Sequence, residues 1–196
     1  MARTPSTMLE LGTKLPAFSL PDAASGRTVS QKEIAGSKGT LVMFICNHCP
    51  FVKHVLQEIG RVARDASEKG VGVATINSND VAAYPDDAPD KMKALARSEG
   101  WKFPYLFDES QETAKSFRAA CTPDFFLFDH TGTLVYRGQL DDSRPGNDLQ
   151  VNGKDLRAAI DAVVMRQPVA ADQKPSIGCN IKWKRGNEPG WFGTGA

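Results

Sequence analysis

Three uninterrupted apolar runs divide the chain and predict strands that are covered on both faces. They lie at 41–46, 71–76 and 125–128. Runs of this kind are typical of the inner strands of a parallel or mixed sheet, because neither face of such a strand meets water. A turn at 129–132 is followed by a shorter apolar segment at 134–136. This arrangement predicts an antiparallel hairpin that adds a further strand beside the third run.

Apolar residues recur at helical spacing between and after these strands. The helix after the first strand is predicted to begin at Pro50, since proline suits the first helical position, and to end at Gly70. Three further helices are predicted over 86–98, 111–120 and 155–166. The order is a βαβ unit followed by a ββα unit. It predicts an α/β fold with three α/β/α layers, in which helices cover both faces of a mixed central sheet.

The two ends of the chain differ in character from this core. Residues 1–14 are polar and are predicted to form a flexible N-terminus. An N-terminal β-hairpin is predicted over 15–29, and the capping-box spacing of Ser30 and Glu33 predicts a short helix after it. Residues 167–196 are rich in proline and glycine and predict an irregular C-terminal tail. Its isoleucines and aromatic residues indicate that the tail packs on the domain.

Composition and charge fit one ordinary globular domain, which we assign to 15–166. Hydrophobic residues make up 41% and charged residues 24% of the 196 residues. With 24 Lys and Arg against 23 Asp and Glu, the net charge of +1 gives no electrostatic reason to expect nucleic acid or a membrane surface as partner. No apolar run reaches the roughly 20 residues of a membrane-spanning helix. Because residues 1–14 contain no apolar segment of a secretion signal, we expect a cytoplasmic protein.

Four cysteines carry the candidate chemistry: Cys46, Cys49, Cys121 and Cys179. This number is too low for a disulfide-stabilised scaffold in a chain of this length. Cys46 and Cys49 have Cys-x-x-Cys spacing and lie between a buried strand and the start of a helix, which is the context of a redox pair. A Cys-x-x-Cys also binds zinc where further cysteine or histidine ligands complete the site. Inert thiols are the third interpretation.

The position of Cys49 favours a reactive thiolate. It falls near the N-cap of the helix that begins at Pro50, where unpaired backbone N–H groups and the helix dipole stabilise a negative charge. His48 and Lys53 are basic neighbours that we predict to act in the same direction. We therefore expect the pKa of Cys49 to lie below the usual value of a cysteine.

A second candidate feature is Thr122-Pro123, directly before the third buried run. An X-Pro bond adopts the cis form at modest cost, and a cis bond here is one interpretation. A trans proline at the start of a strand is the other. If this turn lies beside the cysteine pair, Cys121 lies near the pair too. Alternating side chains of extended backbone point to opposite sides, so the direction of its thiol is left open.

Four segments resemble a known family and together span nearly the whole chain: 15–26, 44–54, 103–108 and 175–183. The chain resembles the redoxin group of the thioredoxin superfamily, also labelled alkyl hydroperoxide reductase/thiol-specific antioxidant. More narrowly, its Cys-Asn-His-Cys-Pro motif is similar to that of a subgroup of thioredoxin-family proteins. The resemblance implies a thioredoxin-like fold and thiol chemistry, and we expect no metal ion or other cofactor.

The resemblance also implies roles for particular residues. Thioredoxin-like folds have a cis-proline loop beside the active-site cysteine, and Thr122-Pro123 matches it. In thioredoxins the nucleophilic cysteine follows a strand phenylalanine by five residues, and from Phe44 this count gives Cys49. Cys46 then lies in the preceding loop as its redox partner.

The sequence is compatible with three functions. The first is a thiol–disulfide oxidoreductase that uses the Cys46/Cys49 pair. The second is a peroxiredoxin-like peroxide reductase (antioxidant), although neither cysteine of the pair follows the Pro-x3-Thr/Ser-x2 pattern of peroxiredoxins. The third is a non-catalytic redox-sensing module.

The expected partners are protein or small-molecule disulfides or peroxides, together with a thiol reductant that the sequence does not identify. Cys179 is either a further resolving thiol or a buried inert one. The sequence leaves the oligomeric state open.

Overall fold

The three apolar runs form the middle of a five-stranded sheet. The computed structural model describes residues 3–193. In chain order the elements are β1 Arg3–Pro5, β2 Ser19–Pro21, β3 Thr28–Ser30, β4 Gly39–Phe44, α1 Pro50–Glu68, β5 Val71–Asn77, α2 Pro89–Ser98, β6 Tyr105–Phe107, α3 Glu112–Ser116, β7 Cys121–Thr122, β8 Asp124–Asp129, β9 Leu134–Gly138, α4 Lys154–Val164 and β10 Ile177–Asn180. A 3-10 turn at Pro85–Asp87 precedes α2.

The strand order of the main sheet is β6-β5-β4-β8-β9. β4 pairs in parallel with β5 and β5 with β6, whereas β8 runs antiparallel to both β4 and β9. The predicted mixed sheet is therefore confirmed. All six residues of β4 are buried and are paired on both sides. The carboxyl end of this central strand leads directly into the cysteine pair.

Helices cover both faces of the sheet, as predicted. The side of β4 that carries Leu41 and Met43 packs against α1, α2 and α4. The opposite side, with Val42 and Phe44, packs against α3, the β2–β3 hairpin and the C-terminal tail. The alternation of side chains along β4 thus divides the core into two layers.

The N-terminus differs from the predicted flexible segment over 1–14. Within the described residues of that segment, β1 pairs with β10, Ser6 is buried, and Lys14 forms a bridge to Thr133. β1 is only three residues long, and its partner lies near the other end of the chain. No local hydrophobic pattern signals such a strand. Residues 1 and 2 lie outside the described part.

The helix predicted from Ser30 and Glu33 is also wrong. Glu33 does accept hydrogen bonds from the N–H and the hydroxyl of Ser30, as in a capping box. However, the chain makes a turn and no helix follows. At Gly36 it lies so close to β5 that a Cβ would come within 2.1 Å of the Gly72 nitrogen. This contact with the sheet leaves no room for a further helical turn.

The C-terminal tail packs on the domain and contains one strand. β10 lies between β1 and β7 in a second, three-stranded sheet. Farther along, the Trp183 ring packs edge-on against Trp191 and Phe192. Residues 194–196 of the predicted tail lie outside the described part. Within residues 3–193, none of the helices combines the length and the apolar character needed to cross a membrane.

Candidate active site

The loop between β4 and α1 carries the cysteine pair. α1 begins at Pro50, and Cys49 is its N-cap residue with extended backbone angles, φ −65° and ψ 123°. The Cys49 side chain makes no capping hydrogen bond to this helix, but interaction with the backbone N–H of Val52 in the first helical turn lowers the pKa of Cys49. Because the N-terminal N–H groups of a helix have no partner within it, this position favours a negative charge.

Hydrogen bonds lower the pKa of Cys49 to about 5. The largest contribution is the bond from the Cys46 thiol, and smaller ones come from Cys179, Val52 and Thr122, while burial acts in the opposite direction. His48 and Lys53, the basic neighbours that were predicted to lower the pKa of Cys49, are not among these main causes. His48 is paired with Asp87, and Lys53 is exposed to solvent.

The pKa of Cys46 shifts in the opposite direction. The hydrogen bond that it donates to Cys49 raises its pKa well above the usual range, and burial and the charge of Asp87 act in the same direction. Its sulfur also lies 3.3 Å from the hydroxyl oxygen of Thr122. These opposite shifts favour a thiolate at Cys49 and a protonated thiol at Cys46.

The Thr122–Pro123 peptide bond is cis, so the cis interpretation is confirmed. Thr122 contacts both members of the pair. Its hydroxyl oxygen lies 3.3 Å from the Cys46 sulfur, and its carbonyl oxygen lies 3.1 Å from the Cys49 sulfur. The loop before β8 and the loop after β4 thus meet at the two sulfurs.

Of the two additional thiols, Cys179 joins the pair. It lies opposite Thr122 in the pairing of β10 with β7 and hydrogen-bonds the sulfur of Cys49. Burial and this bond raise its pKa to about 12. The thiol of Cys121 instead donates to the carbonyl oxygens of Pro123 and Ser176, at 3.6 and 4.0 Å. Burial raises the pKa of Cys121 as well.

A buried carboxylate, Asp87, fixes the loop between the two cysteines. One of its oxygens accepts from the backbone N–H groups of Asn47 and His48, at 2.8 and 3.2 Å. The other lies 2.6 Å from Nδ1 of His48 and 2.8 Å from the side-chain nitrogen of Asn79. Four polar groups therefore converge on a single fully buried side chain. Asp87 is a positioning residue for the cysteine loop.

The side chain of Asn47 is held from two directions. Its amide nitrogen donates to the carbonyl of Asp86 at 3.0 Å, and its amide oxygen accepts from the hydroxyl of Tyr105 at 3.0 Å. Burial raises the pKa of Tyr105 well above its usual range, so this phenol remains a donor.

The sequence reasoning missed this polar shell, although part of it carried a signal. Residues 77–80, Asn-Ser-Asn-Asp, follow a buried strand that is parallel to β4. The carboxyl ends of neighbouring parallel strands lie at one edge of a sheet, which brings Asn79 near the cysteine loop. Asp87, between Pro85 and Pro89, looked like an ordinary acidic residue at the start of a helix.

Cys46, His48 and Asp87 also place one possible metal-ligand atom each within 4.8 Å of one another. All three groups already have hydrogen-bond partners: Cys46 pairs with the hydroxyl of Thr122, and the carboxylate of Asp87 accepts from four donors, of which His48 supplies two. The hydrogen-bond network thus accounts for this cluster.

Comparison with known proteins assigns the family. The sequence profile described as Redoxin matches residues 10–155, which is well over half of the chain. The chain belongs to the redoxin family. Two solved structures are similar over almost their whole length. An uncharacterized conserved protein from Geobacillus kaustophilus is 52% identical with a TM-score of 0.92, covering 94% of this chain and 97% of that chain.

A hypothetical protein from Sinorhizobium meliloti 1021 is 48% identical with a TM-score of 0.91, covering 93% of this redoxin and all of that chain (100%). The thioredoxin domain of a thiol-disulfide oxidoreductase from Bacteroides vulgatus is 18% identical with a TM-score of 0.61, covering 80% and 99%. At this identity the likeness concerns the fold, which is thioredoxin-like, as predicted. No curated protein matches the sequence.

Proposed function

We propose that this redoxin is a thiol–disulfide oxidoreductase in which Cys49 attacks a disulfide and Cys46 resolves the mixed disulfide. The observation that carries the proposal is the meeting of both sulfurs at Thr122, beside the start of α1: the Thr122 hydroxyl oxygen lies 3.3 Å from the Cys46 sulfur and the Thr122 carbonyl oxygen lies 3.1 Å from the Cys49 sulfur. This arrangement supplies a nucleophile whose pKa is lowered by its interaction with Cys46, and a second sulfur next to the first. Disulfide exchange requires both, since the thiolate is the attacking species.

The Cys49 thiolate attacks one sulfur of the substrate disulfide, the substrate S–S bond breaks, and the departing thiolate takes up a proton. Cys46 then loses its proton and attacks the Cys49 sulfur, which releases the second substrate thiol and forms the Cys46–Cys49 disulfide. An external thiol reductant returns two electrons to this disulfide. Thr122 assists by holding Cys46 next to Cys49 through its hydroxyl.

The test is reduction of a small disulfide, bis(2-hydroxyethyl) disulfide, with dithiothreitol as the electron source. We expect turnover by the wild type and by C121S, because the Cys121 thiol faces backbone carbonyls. C49S should be inactive. C46S/C179S, treated with the small disulfide without dithiothreitol, should stop at a mixed disulfide on Cys49 that mass spectrometry detects. Turnover by C49S at the wild-type rate contradicts the proposal.

The same variants separate this function from peroxide reduction. With hydrogen peroxide in place of the disulfide, we expect much slower consumption, because Cys46 and Cys49 lack the peroxiredoxin residues upstream. Faster turnover of peroxide than of disulfide would instead favour the peroxide reductase. Slow turnover of both substrates would favour a redox-sensing module.

A further inference from the structure

β10 covers the backbone edge that lies beside the cysteine pair. β7 is an edge strand of the second sheet, and β10 is its neighbour there. The contact extends beyond the two paired residues, since the Ser176 hydroxyl donates to the Pro123 carbonyl at 2.6 Å and the Ile181 N–H to the Ala120 carbonyl at 3.0 Å. The whole edge from 120 to 123 is therefore occupied by the chain's own tail.

Gly178 allows the tail to approach this edge unusually closely. A Cβ on Gly178 would lie 1.9 Å from the carbonyl oxygen of Thr122 and 2.5 Å from its carbonyl carbon. Real side chains do not tolerate such distances, so only glycine fits here. The next residue along β10 is Cys179, whose thiol meets Cys49.

With β10 in place, the three sulfurs are closed to solvent. Cys46, Cys49 and Cys179 are each at most 1% exposed. A cavity beside Pro123, lined in part by Phe51 and Ile177, holds about 10 Å³, which is room for one water molecule at most. Extended polypeptides bind to proteins by pairing with an open strand edge. The edge nearest Cys49 is already taken by β10.

We infer that β10 is an internal substrate strand, in which Cys179 occupies the place of a substrate sulfur and forms a disulfide with Cys49. The inference rests on the proposed function and names a third thiol for the same site. Polypeptide disulfides compete with β10 for the edge of β7. Small disulfides need only a brief separation of the strand from the loop.

The chemistry is a second exchange at the Cys49 sulfur. After the Cys49 thiolate has attacked oxidised glutathione, one glutathione leaves as the thiol and Cys49 carries the other. Cys179 loses its proton, attacks Cys49 and expels the second glutathione, so that a Cys49–Cys179 disulfide forms. Two protein thiols are oxidised and one glutathione disulfide is reduced to two thiols. In the wild type, Cys46 can attack Cys49 in turn and release Cys179.

The decisive experiment uses C46S, because serine keeps a hydroxyl donor beside Cys49 and removes the competing sulfur. The fully reduced variant is treated with oxidised glutathione, quenched with acid and mapped by mass spectrometry. We expect a Cys49–Cys179 disulfide in about tenfold excess or more over glutathionylated Cys49, a ratio that corresponds to about 1.4 kcal/mol. The inference is overturned if Cys49 carries a stable glutathione adduct while the Cys179 thiol remains reduced and reacts with an alkylating reagent.

The double variant C46S/C179S distinguishes a failure of the inference about Cys179 from a failure of the proposed function. A glutathione adduct on Cys49 in that double variant shows that Cys49 exchanges with disulfides, whatever Cys179 does. If Cys49 forms no bond to glutathione in the wild type, in C46S or in the double variant, the proposed function itself fails.

A matched pair of glycine variants tests the position of the strand. In the C46S background, G178A should push β10 away from Thr122 and lower the yield of the Cys49–Cys179 disulfide by about tenfold. G190A should leave it unchanged, because no atom lies within 4 Å of a Cβ there. Circular dichroism verifies the fold of both. An unchanged yield in folded G178A contradicts the placement of Cys179 by β10.

Discussion

Cys46 and Cys49 are both buried, yet their thiol pKa values change in opposite directions. Burial alone would raise the pKa of both thiols, because it penalises the charged form. The difference comes from the interaction between the two cysteines, which lowers the pKa of Cys49 and raises that of Cys46. A negative charge at the helix N-terminus fits the same asymmetry.

This asymmetry predicts the effect of removing the Cys46 thiol. In C46A we expect the pKa of Cys49 to rise from about 5 by about one unit or more, since the strongest hydrogen bond to the thiolate is lost. C46S should change it less, because a hydroxyl still donates. The measurement is thiolate ultraviolet absorbance against pH, with C121A as the control. A Cys49 pKa in C46A equal to that of the wild type would contradict the assignment.

Asp124 is a second buried acid, directly after the cis-proline. Burial raises its pKa to about 7, although the Ser6 hydroxyl donates to one carboxyl oxygen at 3.3 Å. The other oxygen has no hydrogen-bond partner within the described residues. From about pH 4 to 7 the folded state keeps a proton here that the unfolded chain has lost. The contribution of Asp124 to the free energy of unfolding therefore falls as the pH rises through this window.

D124N should remove this pH dependence. The free energy of unfolding of D124N minus that of the wild type should increase by up to about 4 kcal/mol as the pH rises from about 4 to 8. This difference removes the contribution of cysteine titration, because it is the same in both proteins. Urea unfolding at several pH values provides the measurement, and D172N, at an exposed position, is the control. Equal pH profiles for D124N and wild type would show that Asp124 is charged in the folded state.

The individual residues were predictable to different degrees. The N-cap position of Cys49 follows from Pro50 and the strand before it, all within a few positions of sequence. The contact of Cys179 with Cys49 depends on the register of β10 against β7, a strand that lies far away in the sequence. Cys121 lies next to Thr122 but its thiol points to other partners. No local pattern distinguishes the latter two cysteines.

At the level of elements, the cysteine loop is held by the segment that precedes α2. Asp87 binds the backbone of Asn47 and His48, so a residue about forty positions downstream sets the geometry of the pair. Its neighbour Asp86 is exposed and contributes only its backbone carbonyl to Asn47. Adjacent aspartates of the same segment thus have different roles.

D87N and D86N form a matched pair that tests this difference. D87N should lower the free energy of unfolding by about 1–3 kcal/mol, because an amide cannot accept from all four donors and leaves buried polar groups unpaired. It should also slow disulfide exchange by loosening the loop. D86N should change neither. Thermal unfolding and turnover of the small disulfide measure both effects, and equal stability of the two variants would exclude the positioning role.

The longer elements were predictable because their burial leaves a pattern in the sequence. β4, β5 and β8 appear as apolar runs, and α1 and α4 as helical periodicities. β1, β7 and β10 have two to four residues each and pair across large sequence distances. Strands this short carry no periodicity. Packing of the tail was predicted from its isoleucines and aromatic residues, whereas a place beside the cysteines was only one of two interpretations of Cys179.

At the level of the whole molecule, the two sheets differ in how firmly they are held. β4 has six paired residues on each side in the middle of the core. β10 has three paired residues with β1 and two with β7. Segments with fewer paired and buried groups open at lower free energy. Because β10 covers the sulfurs, we expect its local opening to control access to Cys49.

Hydrogen exchange should reveal this opening. We expect the hydrogen-bonded amides of 177–180 to exchange about tenfold faster or more than those of 41–44, since β10 separates without unfolding the main sheet. G178A should accelerate exchange in β10 further and leave β4 unchanged, whereas G190A should affect neither. Mass spectrometry of peptic fragments or NMR measures the rates. If β10 were as strongly protected as β4, separation of this strand could not admit substrates, and access would have to come through the half-buried residues Asn47 and His48.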